Sequence, residues 1–144
     1  MQVSFSNIIL KQVTEHKLLG IWIDHLMKFD VHAERACAKG RSSLMKISTI
    51  FLGRFGLSVA VGAQVYKALM RSLFEYAVSA WLFRGIRFID SFHTLQYQCL
   101  RSISGVFKNS SASALEVILN IQPIDIRFLD LCICLLYTSP SPRD

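Results

Sequence analysis

Residues 32–52 read HAERACAKGRSSLMKISTIFL, and their spacing decides the fold class. An α-helix advances about 100° per residue, which here separates apolar side chains from basic ones. The apolar face carries Ala33, Ala36, Cys37, Leu44, Ile47 and Phe51. The opposite face carries Arg35, Lys39 and Lys46, which we call the basic ridge. The stretch therefore predicts an amphipathic helix whose apolar face belongs to a core.

The basic ridge permits two interpretations. Glu34 lies to one side of it, so this helix carries no carboxylate that would neutralise the ridge. Such a ridge can follow phosphates, because each neutralised phosphate releases counterions. It can equally be the solvated face of an ordinary amphipathic helix. Periodicity alone does not separate the two.

Short β elements are predicted before this helix and further helices after it. Alternation around a polar turn predicts a hairpin from residues 3–5 and 8–10, and a second strand is expected at 18–23 with Gly20 inside it. The later helices are expected at 59–83 behind an N-cap at Ser58, from Ser91 to Gly105, up to Asn120, and from Pro123 onward. We therefore expect a mainly α chain, in which a short β element precedes a bundle of about four to five helices.

Composition favours a folded, basic chain inside the cell. Hydrophobic residues make up 52% of the sequence and charged residues 18%, so a core can form. A net charge of +6 suggests an anionic partner, either nucleic acid or an acidic membrane surface. The four cysteines lack CxxC spacing, which predicts a reducing compartment, nuclear or cytoplasmic.

The apolar stretch 59–83 has the length of a membrane span but not its composition. Gln64, Lys67, Arg71 and Glu75 recur through it every three or four residues. Each central charge would cost about 2.5–3.5 kcal/mol in a bilayer. The stretch is therefore interpreted as a largely buried helix with a polar stripe, and no membrane partner is expected. A peripheral membrane-associated helical protein stays open as the weakest hypothesis.

The sequence contains no catalytic or metal-binding pattern. It has neither a phosphate-binding glycine loop nor a nucleophile elbow. It also lacks the adjacent aspartates that a two-metal polymerase site needs. We therefore assign no catalytic residue and no metal ligand, and nucleic-acid binding is the leading interpretation.

A family resemblance rests on the order of several short motifs. Residues 16–24 read HKLLGIWID and are similar to the FKYLGxxxD signature that ends the palm of non-LTR (LINE-type) retrotransposon reverse transcriptases. Further stretches resemble the motifs that follow in that family, and these are Lys28-Phe29 with His32, 36–44, 65–81, 95–105 and 110–123. Two positions depart from the signature, because Leu18 replaces the usual aromatic residue and His16 replaces phenylalanine.

This resemblance implies a division of the chain and a nucleic-acid site. Residues 1–24 would be the end of the palm with a primer-grip hairpin, and 25–133 the helical thumb and connection region. The implied contacts to an RNA/DNA template–primer duplex are Lys17, Leu18, Leu19 and Gly20 in the primer grip, with Lys28 and the basic ridge, Arg35, Lys39 and Lys46. The other implied partners are the missing palm and fingers of the parent polymerase. The parent RNA-directed DNA polymerase would need Mg²⁺, but its Tyr-x-Asp-Asp motif is absent here, so this chain is expected to hold no cofactor and not to polymerise alone.

Residues 134–144 read CLLYTSPSPRD and closely resemble one reading frame of the transposase mosaic end and adapter used in sequencing libraries. We expect an adapter-derived tail there, and the alternative is a natural Ser/Pro-rich linker. For the rest of the chain, the alternative to a polymerase fragment is a non-catalytic basic helical module that binds nucleic acid, or a degenerate retroelement remnant.

Overall fold

The computed structural model describes residues 13–51 and 58–138, together with the backbone of two strands at 3–5 and 8–10. Two hairpins precede a helical bundle, so the expected class, mainly α with a short β element in front, is confirmed. Strand β1 (Val3–Phe5) pairs antiparallel with β2 (Ile8–Leu10), as the sequence predicts.

The second β element is a hairpin and not the single strand predicted at 18–23. Strand β3 (Glu15–Leu18) pairs antiparallel with β4 (Ile21–Asp24). Leu19 and Gly20 form the two-residue turn, with φ of 48° and 91°. Positive φ at both central positions is what a type I′ turn requires.

Helix α1 spans Asp30–Phe51 and has the predicted apolar face. Ala33, Cys37 and Ile47 are buried, and the helix packs against β4 and the later helices of the bundle. Asp24 links the end of β4 to the start of α1, because its Oδ1 accepts a hydrogen bond of 2.8 Å from the Phe29 amide.

The predicted helix at 59–83 is correct only in its first part. Helix α2 (Val59–Val65) continues into a π-helical segment (Tyr66–Arg71) and then into α3 (Ser72–Glu75). The predicted cap is confirmed, since the Ser58 hydroxyl accepts from the Val61 amide at 3.4 Å. The chain then breaks at Ala77, whose φ is 52°. No helix in residues 13–51 and 58–138 is both long and apolar enough to cross a bilayer.

Four helices complete the bundle. They are α4 (Val78–Trp81), α5 (Ile89–Ser104), α6 (Ala112–Ile118) and α7 (Ile124–Thr138), with a 3-10 turn at Ile86–Phe88 before α5. Helix α5 begins ahead of the predicted cap, so Ser91 lies inside its first turn. It ends at Gly105 with φ of 65°, the predicted left-handed C-terminal position.

An aromatic cluster forms the centre of the core. Phe74, Trp81, Phe92 and Phe128 come from α3, α4, α5 and α7, and their rings touch in pairs with centroids between 5.3 and 5.8 Å apart. Such pairs add about 0.5–1.5 kcal/mol each beyond the burial of their surface. The cluster therefore joins four helices that are separated along the chain.

A buried chain of hydrogen bonds crosses the same core. The Tyr66 hydroxyl donates to Gln96 Oε1 at 2.7 Å, and Gln96 Nε2 donates to Glu116 Oε1 at 2.8 Å. Burial raises the pKa of Tyr66, which keeps its hydroxyl a neutral donor. Gln96 is only 1% exposed, so these bonds satisfy an amide that would otherwise be costly to bury.

Glu75 ties α3 to the last helix. Its Oε1 accepts from Arg71 Nε at 2.7 Å and from Arg127 Nε at 2.8 Å. The hydrogen bond to Glu75 raises the pKa of Arg127. One carboxylate thus serves two guanidinium groups that lie on different helices.

Candidate nucleic-acid interface

The tip of the β3–β4 hairpin is fastened to the end of α3. The Tyr76 hydroxyl donates a hydrogen bond to the Leu19 carbonyl oxygen. A Cβ atom at Gly20 would lie 2.9 Å from that same hydroxyl. Glycine is therefore favoured at this turn both for its positive φ and for the close approach of Tyr76.

A groove of about 440 Å³ opens between this hairpin and α1. Lys17, Gly20 and Trp22 line it from the hairpin, and Arg35 and Lys39 line it from α1. Further lining residues come from α1 and from the stretch between the π-helical segment and the end of α3, and they include His32, Leu69, Ser72 and Tyr76. The groove thus has cationic side chains on two facing walls.

The groove brings together four of the eight residues that the sequence assigned to nucleic-acid binding. Those four are Lys17, Gly20, Arg35 and Lys39. Leu18 and Leu19 lie beside the groove on the hairpin tip, with 53% and 85% of their surface exposed. Lys28 is exposed in the connection after β4, and Lys46 is exposed farther along α1, about 10 Å beyond Lys39 at the rise of an α-helix. Neither of these two lysines lines the groove.

Arg35 differs from the lysines because its charge has a partner. Its guanidinium carbon lies 3.5 Å from the centroid of the Trp22 ring. Its Nη2 donates to Glu15 Oε2 at 3.2 Å. The helix itself carries no carboxylate that neutralises the ridge, but β3 supplies one to Arg35 from 20 residues earlier in the chain.

Lys17 and Lys39 supply the uncompensated charge of the groove. Both are exposed, and neither forms a salt bridge with a carboxylate among residues 13–51 and 58–138. Two lysine ammonium groups on facing walls, with low-dielectric surface beneath them, concentrate positive potential in the groove. Such an arrangement attracts anions that bear several charges along a line.

His32 on α1 attaches the hairpin to the helices through a hydrogen bond with β4. It is 7% exposed, and its Nδ1 accepts a hydrogen bond of 3.4 Å from the Trp22 amide. Its ring also meets the edge of Trp81, with centroids 5.8 Å apart. Burial lowers the pKa of His32, so the neutral form that can accept this bond is favoured.

Asp24 orders the connection that carries Lys28. Its two carboxylate oxygens accept from the amides of Phe29 at 2.8 Å and Lys28 at 3.3 Å. Desolvation alone would raise the pKa of Asp24, but hydrogen bonds from backbone amides outweigh it and hold the pKa below its usual value. The exit from β4 is therefore fixed, and with it the orientation of the hairpin toward α1.

Sequence reasoning missed Tyr76, Trp22 and His32 as members of the site. Tyr76 follows a largely apolar stretch, yet it is 52% exposed and turns toward the hairpin. The available signal was chemical, since a tyrosine at the end of an apolar helix often places its hydroxyl at a polar boundary. Trp22 and His32 gave no signal of their contact, because it depends on how a strand meets a helix.

No group of three His, Cys, Asp or Glu side chains within the described part of the chain could hold a metal ion. No protein-family model, curated protein or solved structure matches the chain.

Proposed function

We propose that this chain binds the phosphate backbone of an RNA–DNA duplex through the groove, as the primer-grip and thumb part of a retrotransposon reverse transcriptase. The observation that supports the proposal is that Lys17, Gly20, Arg35 and Lys39 line one groove. The resemblance implies a contact role for Lys17 and Gly20, and helical spacing places Arg35 and Lys39 on the basic ridge. A duplex clamp needs such residues from the hairpin and from α1 to lie along one groove.

The chemistry of the groove suits a backbone and not a base sequence. Lysines act as point charges toward phosphate, and such contacts set position without reading sequence. Gly20 has no side chain to keep a second backbone away from the hairpin turn. Polymerisation would require the carboxylates and Mg²⁺ of the missing palm, so this part contributes binding and alignment alone.

A salt titration tests the binding. Fluorescence anisotropy with a labelled RNA–DNA hybrid should show an affinity that falls about tenfold between 50 and 200 mM salt, if two phosphates are neutralised. Lys17→Gln and Lys39→Gln should each flatten the salt slope by about one. Arg41→Gln is the matched control, because Arg41 is exposed on α1 outside the groove, and its slope should equal that of the wild type. Equal slopes for all four proteins would contradict the proposal.

Two comparisons separate the polymerase interpretation from its alternative. A clamp should bind the hybrid more tightly than single-stranded RNA of the same length, whereas equal binding would favour a non-catalytic basic module.

The genomic locus should be sequenced with long reads that avoid transposase-built libraries. An in-frame Tyr-x-Asp-Asp motif upstream would support the polymerase. An intact frame without it would favour the module or a degenerate remnant.

A further inference from the structure

We infer that Arg35 positions the β3–β4 hairpin and does not bind phosphate, although it belongs to the basic ridge and lines the groove. The ligand contacts then fall to Lys17 and Lys39. The assignment of the ligand contacts to Lys17 and Lys39 rests on the proposed function. The positioning role stands on the contacts within this chain.

The geometry gives Arg35 two contacts with the hairpin. One face of the guanidinium is stacked 3.5 Å from the Trp22 ring centroid. One edge is occupied by Glu15, with Nη2 and Oε2 3.2 Å apart. A planar guanidinium can stack on a ring while its edge pairs with a carboxylate, whereas a lysine ammonium has no plane to stack. The charge that remains for a phosphate is therefore smaller than at either lysine.

The two contacts reach both strands of the hairpin. Glu15 lies on β3 and Trp22 on β4, and Lys17 pairs directly with Trp22 across the ladder. Glu15 and Lys17 are two residues apart, so their side chains share one face of the hairpin with Trp22. Arg35 therefore contacts the face of the hairpin that carries Lys17. This contact fixes the distance between Lys17 and Lys39 across the groove.

Other attachments keep the hairpin near the helices when Arg35 is changed. His32 accepts from the Trp22 amide, and Tyr76 donates to the Leu19 carbonyl. Arg35 is also about half-exposed, with 49% of its side-chain surface accessible, and it lies outside the aromatic core. Variants at Arg35 should therefore fold, and the loss should be confined to the docking of the hairpin.

Two readouts distinguish positioning from ligand binding. Hydrogen exchange of the amides in residues 15–24 reports hairpin docking, and the salt slope of hybrid binding reports phosphate contacts. Arg35→Gln and Arg35→Lys should both speed hairpin exchange by about 3–10-fold, because both lose the stacked and paired plane. Both should leave the salt slope at the wild-type value. Lys39→Gln should do the opposite, flattening the slope by about one while hairpin exchange stays unchanged.

Either of two results would overturn the inference. Arg35→Gln could flatten the slope as Lys39→Gln does, with normal hairpin exchange, and Arg35 would then be a phosphate ligand. Arg35→Lys could protect the hairpin as well as the wild type, and the planar contacts would then be unimportant. If the wild type binds no hybrid at all, the proposed function fails, while the exchange comparison still decides whether Arg35 positions the hairpin.

Discussion

Replacing Gly20 with alanine should weaken the docking of the β3–β4 hairpin far more than an equivalent change elsewhere. The new Cβ would meet two separate obstacles. The backbone at Gly20 has a φ of +91°, which residues with a side chain rarely adopt. The Cβ would also lie 2.9 Å from the Tyr76 hydroxyl, which donates to the Leu19 carbonyl.

The magnitude follows from these two terms. A left-handed backbone costs a residue with a side chain about 1–2 kcal/mol. Tyr76 is half-exposed, so its ring can move away from the Cβ, but the hydrogen bond to Leu19 is then lost at about 1 kcal/mol. The free energy of opening the hairpin should therefore fall by about 2–3 kcal/mol in Gly20→Ala.

Gly105→Ala is the matched control because it isolates the first term. Gly105 has a φ of +65°, but nothing lies within 4 Å of the position its Cβ would take. It should cost about 1–2 kcal/mol, at the end of α5 and without effect on the hairpin.

Native-state hydrogen exchange with added urea measures both changes, because it separates local opening of residues 15–24 from opening of the core. A double-mutant cycle completes the test. Tyr76→Phe should cost about 1 kcal/mol in the wild type and almost nothing in Gly20→Ala, because the same hydrogen bond is lost only once. The reasoning would be refuted if Gly20→Ala opened the hairpin no more readily than Gly105→Ala, or if Tyr76→Phe kept its full cost in the double variant.

Three further substitutions test the core and its charges. Tyr66→Phe leaves Gln96 Oε1 buried without its donor, so urea denaturation should show that the free energy of unfolding falls by about 1–3 kcal/mol. A fall below about 0.5 kcal/mol would mean that Gln96 finds another partner. Glu75→Gln removes the carboxylate that Arg127 shares with Arg71. Because the site is partly buried, the free energy of unfolding should fall by about 1–2 kcal/mol in the same assay. An unchanged midpoint would contradict the link between α3 and α7. Burial lowers the pKa of His32 below its usual 6.5, so its contribution to stability is complete above pH 6.5 and is lost as the pH falls through the folded-state value. Denaturation midpoints measured from pH 7.5 to about 5 should therefore fall less steeply in His32→Asn than in the wild type, and parallel curves would exclude this role.

The sequence predicted what depends on local pattern. The amphipathic period of α1, the cap at Ser58 and the left-handed end at Gly105 all follow from residues within one or two turns. The local pattern alone missed the turn at Leu19, because leucine is not a turn residue and its φ of 48° is stabilised from outside by Tyr76. A tertiary contact of this kind leaves no mark on the local spacing.

The break at Ala77 was missed for a related reason. Alanine favours helix, yet here its φ is 52°. Both contacts beside it involve Tyr76. The Trp81 indole donates to the Tyr76 carbonyl at 3.1 Å, and the Tyr76 hydroxyl donates to the hairpin. In the candidate site, the ridge could be predicted because it lies on one helix, whereas its pairing with Glu15 joins two elements and could not.

The π-helical segment sets the angular phase of everything that follows it. Its residues Tyr66–Arg71 form wider turns than an α-helix, in which hydrogen bonds span one more residue. Tyr66, Met70 and Phe74 are consequently all buried at a constant spacing of four. A π-helical turn accommodates one residue more than an α-helical turn, so deleting one residue, such as Ala68, would let the stretch close into an α-helix and leave α3 near its present orientation. If the same residues were wound instead as a regular α-helix, α3 would be rotated by about 100°, and Glu75 and Tyr76 would turn away from Arg127 and from the hairpin. The widening of the backbone therefore keeps both the last helix and the groove in register.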